Sequence, residues 1–484
     1  MATPVVLLSP PAATLFQFPP HSEPHAIPPP SFNTPFRIPD NLYVNALDPK
    51  VPITIAAVYA VTAKVLNAYN KSTGKKPWAI SKTKTFHFLV VLHNVFLAVY
   101  SAWTWLGMLN TFRNSIVSPA GPNGWAGTVD SVCKIHGTAG LENGISYNQA
   151  RGVWEPSLSA GSTTVYSPSP DDRGRIWNEG LAFYGWIFYI SKFYEVIDTL
   201  IILAKGKYSS TLQTYHHAGA MMAMWAGMRY MSTPIWIFVF FNSAIHALMY
   251  TYFTVTAFNV RVPQVIKRTL TSLQISQFII GASVAIVHSF MSYLVPVQVE
   301  VAATEAAAAG SSISASASAT PSAAGFVNGL KKTLFGAAEA AGTAAIVSSS
   351  EPNSTHQGVS YVTRYQKVDC ITTSGATFAI WLNVIYLAPL TYLFVSFFIA
   401  SYLRRSKAEV VRAKSNPDRR LSNVMLAEKA SWDAAKGLER EVYGESKGGA
   451  ILEDSDDSGS NKKLHPSSAG RANGAKSKAN GKKF

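Results

Sequence analysis

The sequence predicts an all-α membrane protein of seven transmembrane helices, and three observations predict it. The first is composition. Hydrophobic residues make up 48% of the 484 residues and charged residues only 14%, the balance of a polytopic membrane protein with soluble tails. The second is a series of apolar runs of about 20 residues, each long enough to cross a bilayer. The third is where the basic residues fall. The formal net charge of +15 sits in short loops and in the C-terminal tail. That distribution follows membrane topology, and nucleic acid is not an expected partner.

In chain order, residues 1–50 are Pro-rich and turn-rich and are expected to be poorly ordered. Met1 to Pro20 have no basic n-region and are broken by proline, so no cleaved signal peptide is read there. The membrane domain is expected over 51–405. Its first span runs from Val51 to Tyr69, with Lys64 snorkelling toward one end. Residues 70–84 carry Lys71, Lys75, Lys76, Lys82 and Lys84 and no acid. The second span covers Thr85 to Leu109, and a polar, Gly-rich loop fills 110–176. The third, Leu181 to Ala204, ends at Lys205 and Lys207. The fourth covers Thr211 to Tyr230, and Met231 to Thr233 connect it to the fifth, Pro234 to Ala257. Arg261, Lys267 and Arg268 lead into the sixth, Thr269 to Val295.

From about 299 to 360 Ala, Ser, Thr and Gly dominate. This reads as a low-complexity, partly disordered insert, with a short surface helix over Gly325 to Ala341. The seventh span, Ser374 to Leu403, is expected to kink at Pro389 and ends in Arg404-Arg405. The tail, 406–484, is charged and rich in Ser, Gly and Lys, and only about 420–443 looks helical.

The basic loops 70–84, 205–211 and 258–268 and the tail alternate correctly for seven spans with a cytosolic C-terminus. The N-terminal segment, the 110–176 loop and the insert then lie on the lumenal side. Cys133 and Cys370 both fall on that side, where a secretory compartment allows a disulfide. Asn353 begins a glycosylation sequon there. Asn70-Lys71-Ser72 also fits the pattern, on the cytosolic side where it is silent.

Four successive apolar runs each carry a polar stripe. Lys192, Glu195 and Thr199 share one helical face, with Asp198 farther round. Gln213, His216 and His217 share another face, as do Asn242, His246, Met249 and Tyr250. Thr271, Gln274 and Gln277 follow at three-residue steps. Charges inside a membrane are costly and face a bundle interior or a wet cavity, so a shared polar chamber is expected. A metal reading is weak. Only His216 and His217 are adjacent, and Gln213 stands where a further ligand would be wanted. His87, His93 and His288 read as interhelical hydrogen-bonders. Acid–base or covalent chemistry by imidazole fits better. Lys192 and the cytosolic lysines could attract an anionic substrate, and Gln213, Asn242, Tyr250 and Gln274 could orient groups or stabilise an oxyanion. The cytosolic side has no cysteine, which leaves His, Ser, Thr or direct attack for acyl transfer from a thioester.

These residues resemble a known family. Lys192-x-x-Glu195-x-x-Asp198-Thr199, Gln213-x-x-His216-His217, Asn242-x-x-x-His246-x-x-Met249-Tyr250-x-Tyr252-Phe253 and Thr271-x-x-Gln274-x-x-Gln277-Phe278 look like the successive signatures of the ELO very-long-chain fatty acid elongases. Leu92-His93-Asn94 and Tyr392-Leu393-Phe394-x-x-Phe397-Phe398 are similar to further family segments. The resemblance covers about 75–300 and 374–405. Gln213 departs from the commoner His-x-x-His-His box and resembles the elongases of fungi, plants and algae that act on polyunsaturated chains.

The resemblance implies decarboxylative condensation of a long-chain acyl-CoA with malonyl-CoA to a 3-ketoacyl-CoA, the first step of two-carbon elongation, in the endoplasmic reticulum membrane. It implies that spans two to seven surround an acyl tunnel and that no resident cofactor or metal is used, acyl-CoA and malonyl-CoA being substrates. His216 would take the acyl group with His217 in support. His246 would serve malonyl decarboxylation or proton transfer. Lys192, Glu195 and Asp198 would hold helices and CoA-proximal groups in place. The ketoacyl reductase, dehydratase and enoyl reductase of the cycle are the implied partners, beside the lipid bilayer, and a homodimer is kept open. Two other classes compete, a seven-span receptor and a transporter with an internal polar ligand site. The seventh span lacks a Lys for a retinal Schiff base, and no internal repeat of the transporter kind is evident.

Overall fold

The computed structural model describes residues 6–25, 27–158, 169–260, 262–301, 360–415, 422, 425–427 and 429–430. It is mostly helical. The helices are α1 (Asp40–Ala46), α2 (Lys50–Ser72), α3 (Lys84–Ser115), α4 (Gly124–Cys133), α5 (Ala182–Tyr194), α6 (Val196–Ala204), α7 (Thr211–Arg229), α8 (Ile235–Ala257), α9 (Gln264–Phe290) and α10 (Ser374–Ser415). Among the described residues, five are long and apolar enough to cross a membrane: α2, α3, α8, α9 and α10. The expected third span is divided at Glu195 into α5 and α6, of 13 and 9 residues. The fourth is α7, of 19 residues, whose apolar character is diluted by Gln213, His216, His217 and Arg229. The polar stripes that suggest a chamber are thus what sets these two segments apart from ordinary spans.

Side-chain caps fix the helix starts that matter. Thr83 Oγ1 accepts from the Phe86 amide at 3.1 Å and opens α3. Ser210 Oγ accepts from the Gln213 amide at 3.0 Å and opens α7, which sets the phase of the Gln213, His216 and His217 stripe. α3 packs along α8, α10 along α9 and α7, and α2 along α7 and α6. The main core joins Trp177, Tyr189, Leu181 and Met228 with Tyr43 and Leu47, all buried. Gly107 on α3 lets the Tyr184 ring lie against the helix backbone, since a Cβ there would fall 2.0 Å from the ring.

Beside the helices stand two small three-stranded antiparallel sheets that the sequence reading did not include. Strands β2 (His136–Gly137), β3 (Gly144–Asn148) and β4 (Val153–Pro156) form one inside the 110–176 loop. Strands β1 (Val6–Leu8), β5 (Met291–Val301) and β6 (Ser360–Asp369) form the other, in the order β1-β5-β6. The sixth span therefore stops at Phe290, short of Val295. Tyr293, Val295, Val297, Val299 and Val301 recur at every second position of β5, a strand pattern that an apolar run continuing from a helix conceals. Both arms of the insert are thus paired strands. Residues 302–359, with the expected helix over 325–341 and the sequon at Asn353, lie outside the described residues. In the tail, 425–427 and 429–430 are helical and the rest of 420–443 lies outside them, apart from 422.

The expectation for residues 1–50 is also corrected. Their prolines shape a strap that packs. Asn33 Nδ2 donates to Thr111 Oγ1 at 3.0 Å and to the Glu179 carbonyl at 2.8 Å, and the His21 amide donates to Ser374 Oγ at 3.0 Å. Trp186, Tyr189 and Trp225 donate to the carbonyls of Tyr43, Ala46 and Leu47. Tyr43 and Leu47 are buried in the main core and anchor the segment there.

Cys133, at the end of α4, and Cys370, just before α10, are joined by a disulfide that closes a separation of 237 residues. Beside it Arg175 donates to Asp130 Oδ2 at 2.8 Å and to the carbonyls of Lys134 and Thr138, and Tyr293 Oη donates to Asp130 Oδ1 at 2.5 Å. At the opposite ends of the helices, the basic loops meet. Asn70 Nδ2 donates to the Leu203 and Lys207 carbonyls, and the Trp78 amide donates to the Ala204 carbonyl at 3.0 Å. The sequon residue Asn70 is fully buried in these bonds.

Candidate active site

The four polar stripes converge. Lys192 Nζ donates to Glu195 Oε1 at 2.6 Å and to Asn242 Oδ1 at 3.0 Å. Asn242 Nδ2 donates in turn to Gln277 Oε1 at 3.1 Å, and His246 Nδ1 lies 3.5 Å from Glu195 Oε1. One chain of contacts therefore ties α5, α8 and α9 together. Lys192 and Glu195 are both buried, and each has the opposite charge and a further hydrogen bond that such burial demands.

A second set surrounds Asp198. Its Oδ1 lies 2.8 Å from His93 Nε2, and its Oδ2 accepts from Tyr250 Oη at 2.5 Å. His93 also lies 3.4 Å from the Tyr194 hydroxyl through Nδ1. Asp198 thus links α3, α6 and α8. Thr199 does not face the chamber. Its hydroxyl is shared with Tyr59 of α2 at 2.9 Å and accepts from Gln213 Nε2 at 3.3 Å.

Between these sets opens a cavity of about 470 Å3. Helices α3 and α6 to α10 all contribute to its wall, while α2 stands outside it. His216, His217 and His246 face it, with Asp198, Gln213, Tyr250, Gln274 and Gln277 among the other polar groups. Lys205 and Lys267 line it where α6 ends and α9 begins, an electropositive mouth suited to an anionic substrate. A narrower apolar slot, walled by Phe188, Met224, Ile237, Phe238 and Leu387, shares His216, Gln277 and Phe278 with the cavity. Lys192 and Asn242 line the slot and not the wider cavity, whereas Glu195 and Thr199 line neither. Among the described residues no three His, Cys, Asp or Glu side chains group as metal ligands.

A chain with this chamber has recognisable relatives. The model of the GNS1/SUR4 family (ELO) matches residues 45–410, about three quarters of the chain. The chain belongs to this family.

Members in other organisms are similar over shorter stretches. Very long chain fatty acid elongase 3 of Homo sapiens is 35% identical over 109 residues, 22% of this chain and 40% of the relative. Fatty acid elongase 2 of Trypanosoma brucei brucei is 30% identical over 123 residues, 25% of this chain and 45% of the relative. Long chain fatty acid elongase 1 of Caenorhabditis elegans is 29% identical over 150 residues, 27% of this chain and 51% of the relative. The chain thus spans about half the length of the relatives it matches, or less. No solved structure matches it.

Within this member of the family, His93 is the interhelical hydrogen-bonder that the sequence suggests, its bond to Asp198 joining α3 to α6. Sequence reasoning leaves out two other contributors. Tyr386 Oη lies 2.8 Å from His216 Nδ1, and Asn383, one turn earlier on α10, lines the apolar slot. Tyr386 and Asn383 are i, i+3, a spacing legible in the sequence, but two polar residues in an otherwise apolar run are too sparse to stand out.

Proposed function

We propose that the protein is a fatty acid elongase of the endoplasmic reticulum membrane, condensing a long-chain acyl-CoA with malonyl-CoA to give a 3-ketoacyl-CoA, carbon dioxide and CoA. The observation that carries this reading is the junction at His216, an imidazole lining both a cavity that holds the other histidines with Lys205 and Lys267 and a narrower apolar slot. A thioester has the same division, with an anionic CoA head and an apolar tail meeting at one reactive carbonyl.

In the proposed mechanism the CoA phosphates bind near Lys205 and Lys267 and the acyl tail enters the slot. His216 attacks the thioester carbonyl, the C–S bond breaks, and CoA leaves as the thiolate. Malonyl-CoA then loses carbon dioxide, and its carbanion takes the acyl group from His216 with formation of the new C–C bond. His217 supports His216. His246, beside Glu195 at 3.5 Å, serves the decarboxylation or a proton transfer. Splitting one difficult displacement into two is the usual gain of covalent catalysis. Gln213 in the histidine box favours polyunsaturated acyl chains, and the product would pass to a ketoacyl reductase, a dehydratase and an enoyl reductase.

Lipid profiling of cells expressing the chain, fed individual fatty acids, tests the reaction and its substrate class. Products two carbons longer are expected, most from polyunsaturated feeds, and an unchanged profile across all feeds overturns the reading. Incubating purified protein with acyl-CoA alone tests the covalent step through free CoA and intact mass. Normal turnover with malonyl-CoA, but neither adduct nor CoA release without it, makes direct attack in a ternary complex the mechanism.

A further inference from the structure

Tyr386 approaches His216 twice. Its Oη lies 2.8 Å from His216 Nδ1 and 3.1 Å from the backbone carbonyl oxygen of the same residue. A phenol has one proton, and a carbonyl oxygen only accepts. If the phenol donated to Nδ1, its oxygen would face the carbonyl oxygen with no proton between them. If it donates to the carbonyl, Nδ1 carries the hydrogen and donates to Oη, and both contacts are hydrogen bonds. Only the second arrangement makes both contacts of the phenol hydrogen bonds and leaves no oxygen pair facing without a proton.

We infer that Tyr386 is a positioning residue that holds His216 as the Nδ1–H tautomer, so that the ring nitrogen left with a lone pair for the acyl group is Nε2. Which nitrogen of a histidine reacts is set by the hydrogen bond that the other one makes. This rests on the reading of His216 as the acyl acceptor.

The surrounding packing holds the phenol in place. Tyr386 is buried, its ring lies parallel to that of His216 at an angle of 22°, and Tyr215 Oη donates to its carbonyl at 3.0 Å. Gly219, three residues beyond His216, lies directly against the ring. A Cβ there would come within 2.3 Å of two ring carbons, so any larger residue would displace the phenol.

The consequence is a cycle in which His216 exchanges no proton. Nε2 forms a bond to the acyl carbon, the C–S bond breaks, and its electron pair leaves on sulfur. The acylated ring keeps its Nδ1 hydrogen and its positive charge, and the Tyr386 oxygen accepts a charge-assisted hydrogen bond from it. When the malonyl-derived carbanion forms the C–C bond, the Nε2–C bond breaks and its pair returns to Nε2. The starting tautomer is restored.

The test uses the full-length protein in membranes, labelled with 15N-histidine, with the His216 signals identified by their loss in His216→Ala. Wild-type protein is expected to show hydrogen on Nδ1 and an unprotonated Nε2. Tyr386→Phe is expected to move the hydrogen to Nε2 and to slow CoA release from saturating acyl-CoA by about tenfold or more, with KM changed by less than about twofold. An Nε2–H tautomer in the wild-type spectrum overturns the inference, whether or not the variant folds. So does a Tyr386→Phe protein with unchanged tautomer and rate. A wild-type Nδ1–H tautomer lost in Tyr386→Phe, in a protein that forms no acyl adduct, keeps the positioning role and removes the nucleophile reading instead.

Discussion

Two buried ion pairs among the described residues are built for opposite ends. Around Asp130 and Arg175 both carboxylate oxygens are occupied, one by Arg175 and one by Tyr293, and the guanidinium is spread over backbone carbonyls as well. A disulfide closes beside them. Lys192 and Glu195 are paired as well, but their neighbourhood borders open space, with Lys192 and Asn242 on the slot and His246 on the cavity. His216, His217 and His246 line the cavity, and Gln213 Oε1, buried, has no partner among the described residues. A saturated network holds loops together, because burying charge is tolerated only when every group is paired. A paired network beside a cavity leaves only the groups that line the cavity, such as Gln213 Oε1, with valences for a substrate. The contrast supports the proposal that the second cluster is the site, which charge alone does not, since both clusters carry charge.

The largest effect should come from the open cluster. His216→Ala is expected to lower elongation by about 10³-fold or more and to abolish CoA release from acyl-CoA alone. His246→Ala should still release CoA and then fail to condense. Equal loss of both half-reactions in the two variants would erase this division of labour.

Next is the closed cluster. Asp130→Asn leaves the buried Arg175 charge without its carboxylate and should cost about 3–5 kcal/mol. Thermal unfolding of the purified variant measures it, and a melting temperature equal to wild type would show that this network is not what holds the loops. The disulfide comes third. In the chain-entropy description a closed loop of this length contributes at most about 5 kcal/mol. Non-reducing peptide mapping of protein from native membranes should recover the Cys133–Cys370 pair, and two free thiols would refute it.

Glu23 gives a smaller, pH-dependent effect. Burial in the strap pushes its carboxyl from 4.5 up to about 7, against the lowering influence of a Thr373 hydrogen bond and the Lys134 charge. A carboxyl raised in the folded state binds its proton more tightly there than in the unfolded chain. Stability is therefore greatest below about pH 4.5 with respect to this group and is lost as pH rises toward 7, by about 3 kcal/mol in all. Glu23→Gln should flatten the melting temperature between those limits, and an unchanged slope would remove Glu23 from the account. The smallest effect is at Asn353, where Asn353→Gln should remove any N-glycan without altering turnover. A glycan on Asn70 would invert the expected topology.

Much of the polar cluster around the chamber is legible in the amino-acid order. Lys192, Glu195, His216, His217, His246, Asn242 and Gln277 are polar residues at helical spacing in apolar runs, and such residues must face inward together. The misses have physical causes. Pro-rich composition argues against order at 1–50, but Tyr43 and Leu47 supply anchors that composition averages away. β5 continues an apolar run without a break in hydrophobicity, so its change of period at Met291 is hidden by its neighbours.

The helices, their polar stripes and the histidines of the chamber follow from the order of residues, because period and burial cost are local properties of a chain. Packing in three dimensions decides which nitrogen of His216 meets Tyr386, which carboxylate pairs with His93, and where the cavity meets the slot. His216 and Tyr386 lie 170 residues apart, and a hydrogen bond over that separation depends on how α7 and α10 pack, which no local pattern records.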